Sequence, residues 1–389
     1  MRKMLIASGI LVLLLVCTLL SVSSVTAVDA VTPDFSSVTV QPYPLTPYSG
    51  NPVITASMVT DRAAKLVADP FLFHEGNTWY LFFEVDSGVQ EIGLATSSDG
   101  LHWTYQGIVI AGTTGHWHFA YPYVFNYNGN YYMTPDTYDQ DSIGLYQASN
   151  FPYGWTLKSV LVRGAKGSGL CDPQPFVYNG MWWMFVGDSS DANCYLYYST
   201  SLTGPWIQHP KSPIVSNNVL EARGAGRVVQ YGKTILRFVE QFTNGVQVGA
   251  FQVDTLTTAA YAEHEIPASP LFIPSGSGWN ANGMHQLDPW WTGTTWLAVT
   301  DGSNNNNVWS IGIYTTGETS TTPATINVSI TYQPFGLIMQ YMLKSGSNWT
   351  APSTITVWGR DWQFLKWSDG PADKTRTFNG NGSYSITYG

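Results

Sequence analysis

Charged and aromatic side chains recur at matched positions of a repeated phrase in this sequence. Each phrase has a polar residue, two to four apolar residues, a glycine and an aromatic or apolar run. The five phrases begin at Asp69, Tyr121, Asp172, Arg223 and His285. A second polar set follows the runs: Glu84, Asp136, Asp188, Glu240 or Gln241, and Asp301. If the repeats surround a common axis, the two sets meet at one end of it and form an acid-rich pocket.

An acid-rich pocket with aromatic walls suits chemistry on sugars. Glycoside hydrolysis needs two carboxyl groups, one held protonated as the acid and one left ionised as the base. Aromatic and imidazole rings supply stacking faces for sugars. Candidates in or beside the loops that lead to this pocket are His116, Trp117, His118, Trp279, Trp290 and Trp291. A purely structural role stays open for the acids, because Asp-Pro at the start of a strand also caps the preceding turn.

The spacing of the phrases predicts the elements that position these side chains. Successive phrases start about 50 to 60 residues apart, a period that is typical of propellers and solenoids. β-Branched and aromatic residues flank the turn glycines Gly76, Gly129 and Gly180, which indicates a hairpin in each repeat. A second pair of strands follows each hairpin and completes a four-stranded blade. The sequence therefore predicts an all-β protein with a five-bladed β-propeller over residues 31–314.

The two ends of the chain differ from the repeats. Residues 1–30 have a basic start, an apolar run and small residues, so we expect an export signal and a secreted or cell-surface protein. An uncleaved N-terminal membrane anchor is the alternative. A proline-rich arm follows, and we expect it to add the outer strand of the last blade. Residues 315–325 are predicted to be a Thr-rich linker and residues 326–389 a small β-sandwich module, with glycosylation sequons at Asn327, Asn348 and Asn381.

Composition limits the classes of partner and the redox chemistry. The 389-residue chain has a net charge of -9, which argues against a nucleic-acid surface because phosphate binding needs clustered Lys and Arg. Contact with a membrane is expected only if the N-terminal segment is uncleaved. Cys171 and Cys194 either form a disulfide in an exported protein or are two separate buried thiols. The oligomeric state is not indicated by the sequence.

Ala68-Asp69-Pro70, Asp172-Pro173 and His285 resemble motifs of the five-bladed propeller glycosidases of glycoside hydrolase family 43. The resemblance implies an inverting hydrolase of arabinosides or xylosides, with an oligosaccharide or polysaccharide as its partner. By position, it implies that Asp69 is the catalytic base and that Asp172 tunes the acid. It also implies that His285 helps to hold a calcium ion on the propeller axis, and no other cofactor is expected.

The fourth repeat departs from the pattern of that family. Its sequence is Leu220-Glu221-Ala222-Arg223-Gly224, and the spacing to Gly232 puts Arg223 in the place of the acid. An arginine cannot donate the proton. Either Glu221 reaches the pocket or the acid is replaced. The predicted catalytic residues are thus Asp69, Asp172 and Glu221, with His285 on the metal side. The predicted substrate-binding residues are Glu84, His118, Tyr121, Asp136, Asp188, Arg223, Gln241 and Trp290.

A closer resemblance covers residues from about 50 to 315. The segments Val67-Ala-Asp-Pro-Phe-Leu72, Ala120-Tyr-Pro-Tyr-Val-Phe125 and Glu221-Ala-Arg-Gly-Ala-Gly226 are similar to the N-terminal propeller of plant glucosamine inositolphosphorylceramide transferases and of uncharacterised prokaryotic relatives. In the plant proteins this resemblance implies that the transferase chemistry belongs to a separate domain. The leading hypothesis is an exported, inverting glycoside hydrolase. The alternatives are a glycan-binding propeller without catalysis and a cell-surface adhesion protein.

Overall fold

The computed structural model describes residues 31–112, 118–243, 245–316, 325–334, 337–344, 347–357, 360–367, 374–378 and 382–388. Within them the regular secondary structure consists of β-strands and three 3-10 turns, at Ala56–Met58, Tyr138–Gln140 and Gly278–Asn280, so the all-β prediction is confirmed. No helix in these ranges is long and apolar enough to cross a membrane. The predicted signal segment, residues 1–30, lies outside the described residues.

The described residues between 31 and 315 form five antiparallel sheets, which we number along the chain. The N-terminal arm contributes β1 (Val31–Thr32) and β2 (Thr46–Pro47) to sheets made by later residues. Sheet 1 consists of β3 (Leu66–Glu75), β4 (Thr78–Asp86), β5 (Gln90–Ser97) and β6 (Thr104–Ile110). Sheet 2 consists of β7 (Ala120–Tyr127), β8 (Asn130–Asp136), β9 (Ser142–Asn150) and β10 (Tyr153–Arg163), with β1 added beside β7.

The next three sheets repeat this hairpin order. Sheet 3 consists of β11 (Cys171–Tyr178), β12 (Met181–Gly187), β13 (Cys194–Ser199) and β14 (Ile207–Gln208). Sheet 4 consists of β15 (Val229–Tyr231), β16 (Thr234–Thr243), β17 (Gly245–Leu256) and β18 (Tyr261–Glu265). Sheet 5 consists of β19 (Leu287–Trp291), β20 (Trp296–Ser303) and β21 (Trp309–Thr315), with β2 from the arm as its fourth strand.

The pairing of β2 with β21 joins the beginning of the described chain to the last of the five sheets. Thr46 lies opposite Thr315 and Pro47 opposite Tyr314. The Asn51 side chain continues the pairing, since its amide donates to the Ile313 carbonyl at 2.8 Å and its oxygen accepts from the Ile313 N–H at 2.7 Å. The prediction that the arm supplies this outer strand is confirmed.

The hairpin turns follow the local sequence. Asn128-Gly129 and Asn179-Gly180 have positive φ at both residues, as a tight turn between antiparallel strands favours. These turns join β7 to β8 and β11 to β12, and the second strand of each pair carries the aromatic run. Apolar side chains of these strands, among them Phe82, Phe125, Phe185 and Phe238, are buried between the sheets. The described sheets therefore share packed interfaces, as burial of a sheet face requires.

Cys171 and Cys194 do not form a disulfide. Gly187 of β12 lies opposite Cys171 on one side and opposite Cys194 on the other, so one strand separates the two cysteines. Two strand spacings amount to about 9–10 Å, beyond the roughly 7 Å that a disulfide can bridge between Cα atoms. Both thiols are free and buried, so the alternative of separate buried thiols is confirmed.

The C-terminal residues form further β structure. Its strands are β22 (Thr325–Gln333), β23 (Leu337–Lys344), β24 (Ser347–Thr350), β25 (Thr354–Val357), β26 (Arg360–Trp367), β27 (Thr375–Phe378) and β28 (Gly382–Tyr388). Five of them form a sheet in the order β23-β22-β28-β26-β25, and β24 pairs with β27. Ile330, Trp367 and Ile386 are buried together. The sandwich arrangement stays a prediction.

The predicted linker and the predicted glycosylation sequons lie in or beside this region. The linker prediction falls mostly on residues 317–324, outside the described residues, while its end residues Thr315 and Thr325 lie in strands β21 and β22. The sequon residues Asn327 and Asn348 lie in β22 and β24, and Asn381 lies outside the described residues.

Candidate functional site

A β-bulge at the start of each of the first three sheets positions the predicted site. Asp69, Tyr121 and Asp172 all have φ near +50° and all precede a proline. The strand register slips at the same three places. A non-glycine residue at positive φ is strained, and a bulge turns a side chain away from the direction that a regular strand would give it. The same strained conformation thus recurs at one end of the first strand in three sheets, and such strain is typical of functional sites.

Asp69 lies in a group with the partly buried His285 and the buried Asp301. The His285 Nδ1 is 2.7 Å from Asp301 Oδ2, and its Nε2 is 3.4 Å from Asp69 Oδ1. Asp301 Oδ2 also accepts the Asp69 N–H at 2.9 Å, and Asp69 Oδ2 accepts the Tyr121 N–H at 3.2 Å. Sheets 5, 1 and 2 are thus connected through these polar side chains.

Arg223 lies among three carboxyl groups. Its Nε is 2.6 Å from Asp172 Oδ2 and 3.2 Å from Glu240 Oε1, and its Nη1 is 2.7 Å from Asp191 Oδ1. Asp172 and Glu240 are buried. The structure therefore agrees with the predicted departure from the hydrolase motif. The guanidinium cation of Arg223 lies beside Asp172, where the motif has the acid.

A pocket of about 310 Å³ opens above Arg223. Its lining residues are His118, Asp136, Tyr138, Cys171, Ser189, Asp191 and Arg223. His118 Nε2 is 3.4 Å from Asp136 Oδ2, and the His118 ring lies edge-on against Tyr138 with centroids 4.6 Å apart. The pocket thus offers hydrogen-bond donors, acceptors and an aromatic edge, and we call it the Arg223 pocket.

Burial and mutual repulsion shift several pKa values here. Burial, reinforced by Asp69, raises the pKa of Glu84 to about 8. Burial also raises the pKa of Glu240, to about 7 against the attraction of Arg223, and raises the pKa values of Asp69 and Asp172. Such carboxyl groups hold protons at pH values where an exposed acid is ionised.

The pKa values of the two histidines of the site are raised, which favours the charged form of each ring. Burial is the largest single effect and lowers the pKa of His118, but the hydrogen bond and charge of Asp136, together with the charges of Glu84 and Asp69, raise it to about 9. Asp301 and Asp69 raise the pKa of His285 to about 10 against the same opposing effect of burial. Both imidazoles are therefore cations near neutral pH.

The residues around His285 do not fit a calcium ion held by this histidine. Asp69, His285 and Asp301 bring their ligand atoms within 4.8 Å of one another, which is close enough for a metal site. Both nitrogens of the His285 ring face carboxylates, however, and an imidazolium has no lone pair for a metal. Calcium takes six to eight oxygen ligands. In this arrangement the imidazolium pairs with both acids itself.

Glu221 is not among the carboxyl groups that contact Arg223. Its backbone carbonyl accepts a hydrogen bond from Arg237 Nη2 at 2.9 Å. Arg237 in turn pairs with Glu263 on β18, away from the Arg223 pocket. The geometry gives the prediction of Glu221 as the acid no support, because the chain places Arg223 in the position next to Asp172.

Gln241 and Trp290 are placed differently from the sequence prediction. Gln241 bonds Glu265 and Gln247 within sheet 4, whereas Glu240 turns toward Arg223. Successive side chains of a strand point to opposite faces, so only one of the two neighbours can reach the site. Trp290 is buried and packs against aromatic rings of the core, including Phe73 and Trp79, so it cannot stack on a ligand in this pocket.

Two further predicted residues, Asp188 and Tyr121, form hydrogen bonds within the protein. The Asp188 carboxylate bonds its own loop, at Ser190, Asn193 and Tyr195. The buried Tyr121 hydroxyl accepts the Gly226 N–H at 2.7 Å and donates to the Gly226 carbonyl at 2.9 Å. Neither group is free to bind a sugar in this arrangement.

Sequence reasoning missed Asp191 and Tyr138. Asp191 lies in the loop that follows β12, with φ of 59°, and reaches Arg223 from there. Tyr138 lies in the 3-10 turn after β8. Both follow the repeat's second polar position by two or three residues, so a search that included the loops after Asp136 and Asp188 would have found them.

Comparisons with known proteins identify the family of this chain. Residues 44–303 match the family model described as glucosamine inositolphosphorylceramide transferase 1, N-terminal. The transferase of that name from Oryza sativa subsp. japonica is 33% identical over 269 residues, which are 65% of this chain and 35% of the rice protein. The protein from Arabidopsis thaliana is 32% identical over 254 residues, 61% of this chain and 32% of the relative. The chain therefore matches about a third of the length of these curated relatives.

Solved glycosidases share the fold. The catalytic domain of the Coprinopsis cinerea GH62 α-L-arabinofuranosidase covers 72% of this chain and 98% of its own, with a TM-score of 0.53 and 12% identity. A thermostable family-43 glycoside hydrolase covers 68% of this chain and 91% of its own, with a TM-score of 0.50 and 14% identity. At such identities the likeness concerns the fold alone. The two resemblances predicted from the sequence are confirmed, and the chain belongs to the family of the N-terminal region of glucosamine inositolphosphorylceramide transferase 1.

Proposed function

We propose that sheets 1 to 5 are the blades of a five-bladed propeller and that this protein binds carbohydrate in the Arg223 pocket. Polar contacts between the inner ends of the sheets support a ring. Asp301 of sheet 5 bonds Asp69 of sheet 1, and Asp69 bonds Tyr121 of sheet 2. Asp172 of sheet 3 pairs with Arg223, which precedes sheet 4. The fold shared with glycosidases supports a sugar as the ligand.

The observation that carries binding rather than hydrolysis is the environment of Arg223. It occupies the place that the hydrolase motif gives to the acid, and it is neutralised by Asp172, Asp191 and Glu240. A sugar hydroxyl can donate a hydrogen bond to a carboxylate and accept one from a guanidinium, so it can bind to both kinds of charged group in this pocket. Tyr138 lines the same pocket and is 44% exposed, so its ring supplies the stacking face that Trp290 does not.

A glycan screen followed by titration calorimetry tests this proposal. Tyr138→Ala should lower the affinity for the tightest-binding glycan at least tenfold, because ring stacking contributes about 1.4 kcal/mol or more to the binding free energy. Tyr153→Ala is the matched control, because Tyr153 is also 44% exposed but lies on β10 and does not line the pocket. If no glycan binds, or if both variants weaken binding equally, the proposal is wrong.

Hydrolysis is the second candidate, supported by the raised pKa values of Glu84 and Glu240. A carboxyl group that keeps its proton near neutral pH is what a general acid needs. We propose Glu240 as the acid of this route, because it lies beside Arg223 where Glu221 was expected, and Asp69 as the base. Arabinosides and xylosides are the first substrates to test.

Long incubation with these substrates decides between binding and hydrolysis. If the protein is a hydrolase, Asp69→Asn and Glu240→Gln should each cost several orders of magnitude in turnover while melting as the parent does. The anomer of the first product, followed by NMR, tests inversion. Absence of product with a glycan that binds leaves binding as the function.

We also propose that residues 1–30 direct export, which gives a secreted or cell-surface protein. Their basic start, apolar run and small residues support this. N-terminal sequencing of the protein from its own cells tests it. A new N-terminus near residue 28 or 31 is expected, whereas an intact Met1 in the membrane fraction would support the anchor instead.

A further inference from the structure

A second cavity lies at the end of the sheets opposite to the Arg223 pocket. The Arg223 pocket is lined by Cys171, at the start of β11, and by Arg223, which precedes β15. The second cavity has a volume of about 350 Å³ and is lined by Asn179 and Gly180, in the turn after β11, and by Gly232, in the turn after β15. Among the described residues the two cavities share no lining residue. A ligand in the second cavity would therefore meet residues that the proposed function does not use.

The N-terminal arm forms one wall of this cavity. Val31 of the arm pairs with Tyr127 of sheet 2, and Phe35 packs edge-on against Trp296 of sheet 5, with ring centroids 5.0 Å apart. The arm thus runs from sheet 2 to sheet 5. Val31 and Phe35 line the cavity together with residues from the first strands of sheets 2, 3 and 4. We call this cavity, between the arm and those three strands, the arm pocket.

The charged side chains of the arm pocket do not select a charged ligand. Among the described lining residues they are Asp34 and Arg227, one acid and one base. Arg227 is already engaged, since its guanidinium pairs with the buried Asp288 at 2.8 Å and donates to the carbonyls of Leu72 and Val124 at 3.1 Å. Asp34 is exposed, so water solvates its charge. A ligand of either sign would therefore gain little from these two groups.

The other side chains of the arm pocket are aromatic, aliphatic or polar without charge. The rings belong to Phe35, Tyr123, Phe125, Phe176 and Tyr178. Tyr178 is half-buried, whereas the other four are buried. The neutral polar side chains belong to Ser36 and Asn179, both exposed, and to Gln230. Gln230 Nε2 donates to the Val177 carbonyl at 2.7 Å, which leaves its Oε1 for a ligand. The pocket thus combines ring surfaces with uncharged hydrogen-bonding groups.

We propose that the arm pocket is a second carbohydrate site and that it takes one neutral sugar unit. A sugar ring has C–H faces that pack on aromatic rings and hydroxyl groups that bond uncharged amides. The Tyr178 ring offers the stacking surface, and the Asn179 amide and Gln230 Oε1 offer the donor and the acceptors. The volume of about 350 Å³ lies at the lower end of ordinary ligand pockets and suits one sugar unit.

This inference goes beyond the proposed function, because it concerns a different set of residues. If the Arg223 pocket also binds carbohydrate, the protein has one such site at each end of its sheets. One molecule then holds two glycan chains and cross-links them. On a surface that displays many glycan chains, the two contacts together bind more tightly than either contact alone.

Equilibrium dialysis of the full chain with radiolabelled D-xylose, L-arabinose, D-glucose and D-galactose tests the inference. We expect at least one of these neutral sugars to bind in the arm pocket. Ser36→Trp should abolish that binding, because an indole at this position fills the pocket, while the Ser36 N–H keeps its bond to Asp34 Oδ1. Ser37→Trp is the matched control, since Ser37 is the next residue of the arm, is also exposed and does not line the pocket. Both variants should melt as the parent does.

Asn179→Gly tests the hydrogen-bonding group without filling the pocket. Glycine keeps the positive φ of the turn, here 50°, and removes only the amide side chain. The affinity for the bound sugar should fall about three- to tenfold, as for the loss of one hydrogen bond. Asn128→Gly, in the equivalent turn of sheet 2 with φ of 52°, does not touch the pocket and should leave the affinity unchanged.

Tyr138→Ala separates this inference from the proposed function, since binding in the arm pocket should persist in that variant. If all sugar binding is lost in Tyr138→Ala and none in Ser36→Trp, the inference is wrong and the proposed function stands. If Ser36→Trp alone loses binding, the arm pocket is confirmed and the Arg223 pocket does not bind these sugars. Equal losses in Ser36→Trp and Ser37→Trp, or tighter binding of phenol than of every sugar, also overturn the inference.

Discussion

Arg223 changes the chemistry that the surrounding residues can perform. The acids that would serve a hydrolase lie close to it, but Asp172 and Glu240 are engaged with its guanidinium. Arginine stays charged at all ordinary pH values, so it binds these two acids by charge and by directional hydrogen bonds and opposes the rise that burial causes in their pKa values. Burial nevertheless prevails, and the pKa values of Glu84 and Glu240 are raised to about 8 and about 7.

Arg223→Ala should destabilise the protein because it leaves the buried Asp172 and Glu240 without their cation. We expect a loss of about 2–4 kcal/mol in the free energy of unfolding. This is less than for a fully buried pair, since 28% of the Arg223 side chain is exposed. Denaturant titration measures it. Lys233→Ala, in the exposed turn of sheet 4, is the control and should change stability by less than about 0.5 kcal/mol.

Glu84 should make the protein less stable as the pH rises. Burial, reinforced by Asp69, raises its pKa from the ordinary 4.5 to about 8 in the folded state. Between these values the folded protein holds a proton that the unfolded chain has lost. The stabilisation is complete below about pH 4.5 and is lost as the pH rises to about 8, at up to about 1.4 kcal/mol per pH unit.

Glu84→Gln removes this titration, because an amide resembles the protonated acid and does not ionise. Thermal melts from pH 5 to about pH 9 should show the variant gaining stability relative to the parent as the pH increases. Asp139→Asn, at an exposed acid, should run parallel to the parent. A constant difference between Glu84→Gln and the parent across this range would contradict the prediction.

At the scale of elements, two devices organise the site. The bulges at Asp69, Tyr121 and Asp172 redirect the chain at the same point of three consecutive sheets. The N-terminal arm completes sheet 5 through β2 and Asn51, so the edge of β21 is not left open. An open edge would expose unpaired backbone groups and invite pairing with other chains.

Asn51→Ala should loosen the attachment of the arm to sheet 5. The variant loses both hydrogen bonds to the Ile313 backbone, and we expect a cost of about 1–3 kcal/mol. Hydrogen exchange of the β21 amides should accelerate more than that of sheet 3. Asn306→Ala, at an exposed loop tip, is the control. Unchanged exchange in β21 would show that the arm does not hold this edge.

At the scale of the whole molecule, a single buried arginine connects distant parts of the chain. Arg227 pairs with Asp288 of sheet 5 at 2.8 Å and donates to the carbonyls of Leu72 in sheet 1 and Val124 in sheet 2. Its guanidinium also lies 4.7 Å from the centre of the Tyr123 ring. Four of the five sheet regions therefore share one polar centre, and its loss should affect the molecule as a unit.

Arg227→Met should cost about 3–5 kcal/mol, because it leaves the fully buried Asp288 carboxylate without a cation. The double variant Arg227→Met/Asp288→Asn should lose less free energy of unfolding than the two single variants lose in total. The difference should be about 0.5–3 kcal/mol. Denaturant unfolding of all three measures this coupling. Arg163→Met, at an exposed site on β10, is the control. Strict additivity would mean that the pair is not coupled.

The amino-acid sequence by itself determined the strand class, the hairpin turns, the closing arm and the family. These depend on local patterns: aromatic and β-branched runs, Asn-Gly turns, and prolines after Asp69, Tyr121 and Asp172. The tertiary structure decided which side chains share the Arg223 pocket. Glu240 enters where Gln241 does not, and Trp290 is buried where Tyr138 is exposed. The reason is that the face of a strand and the reach of a loop depend on neighbouring sheets, which a single repeat does not encode.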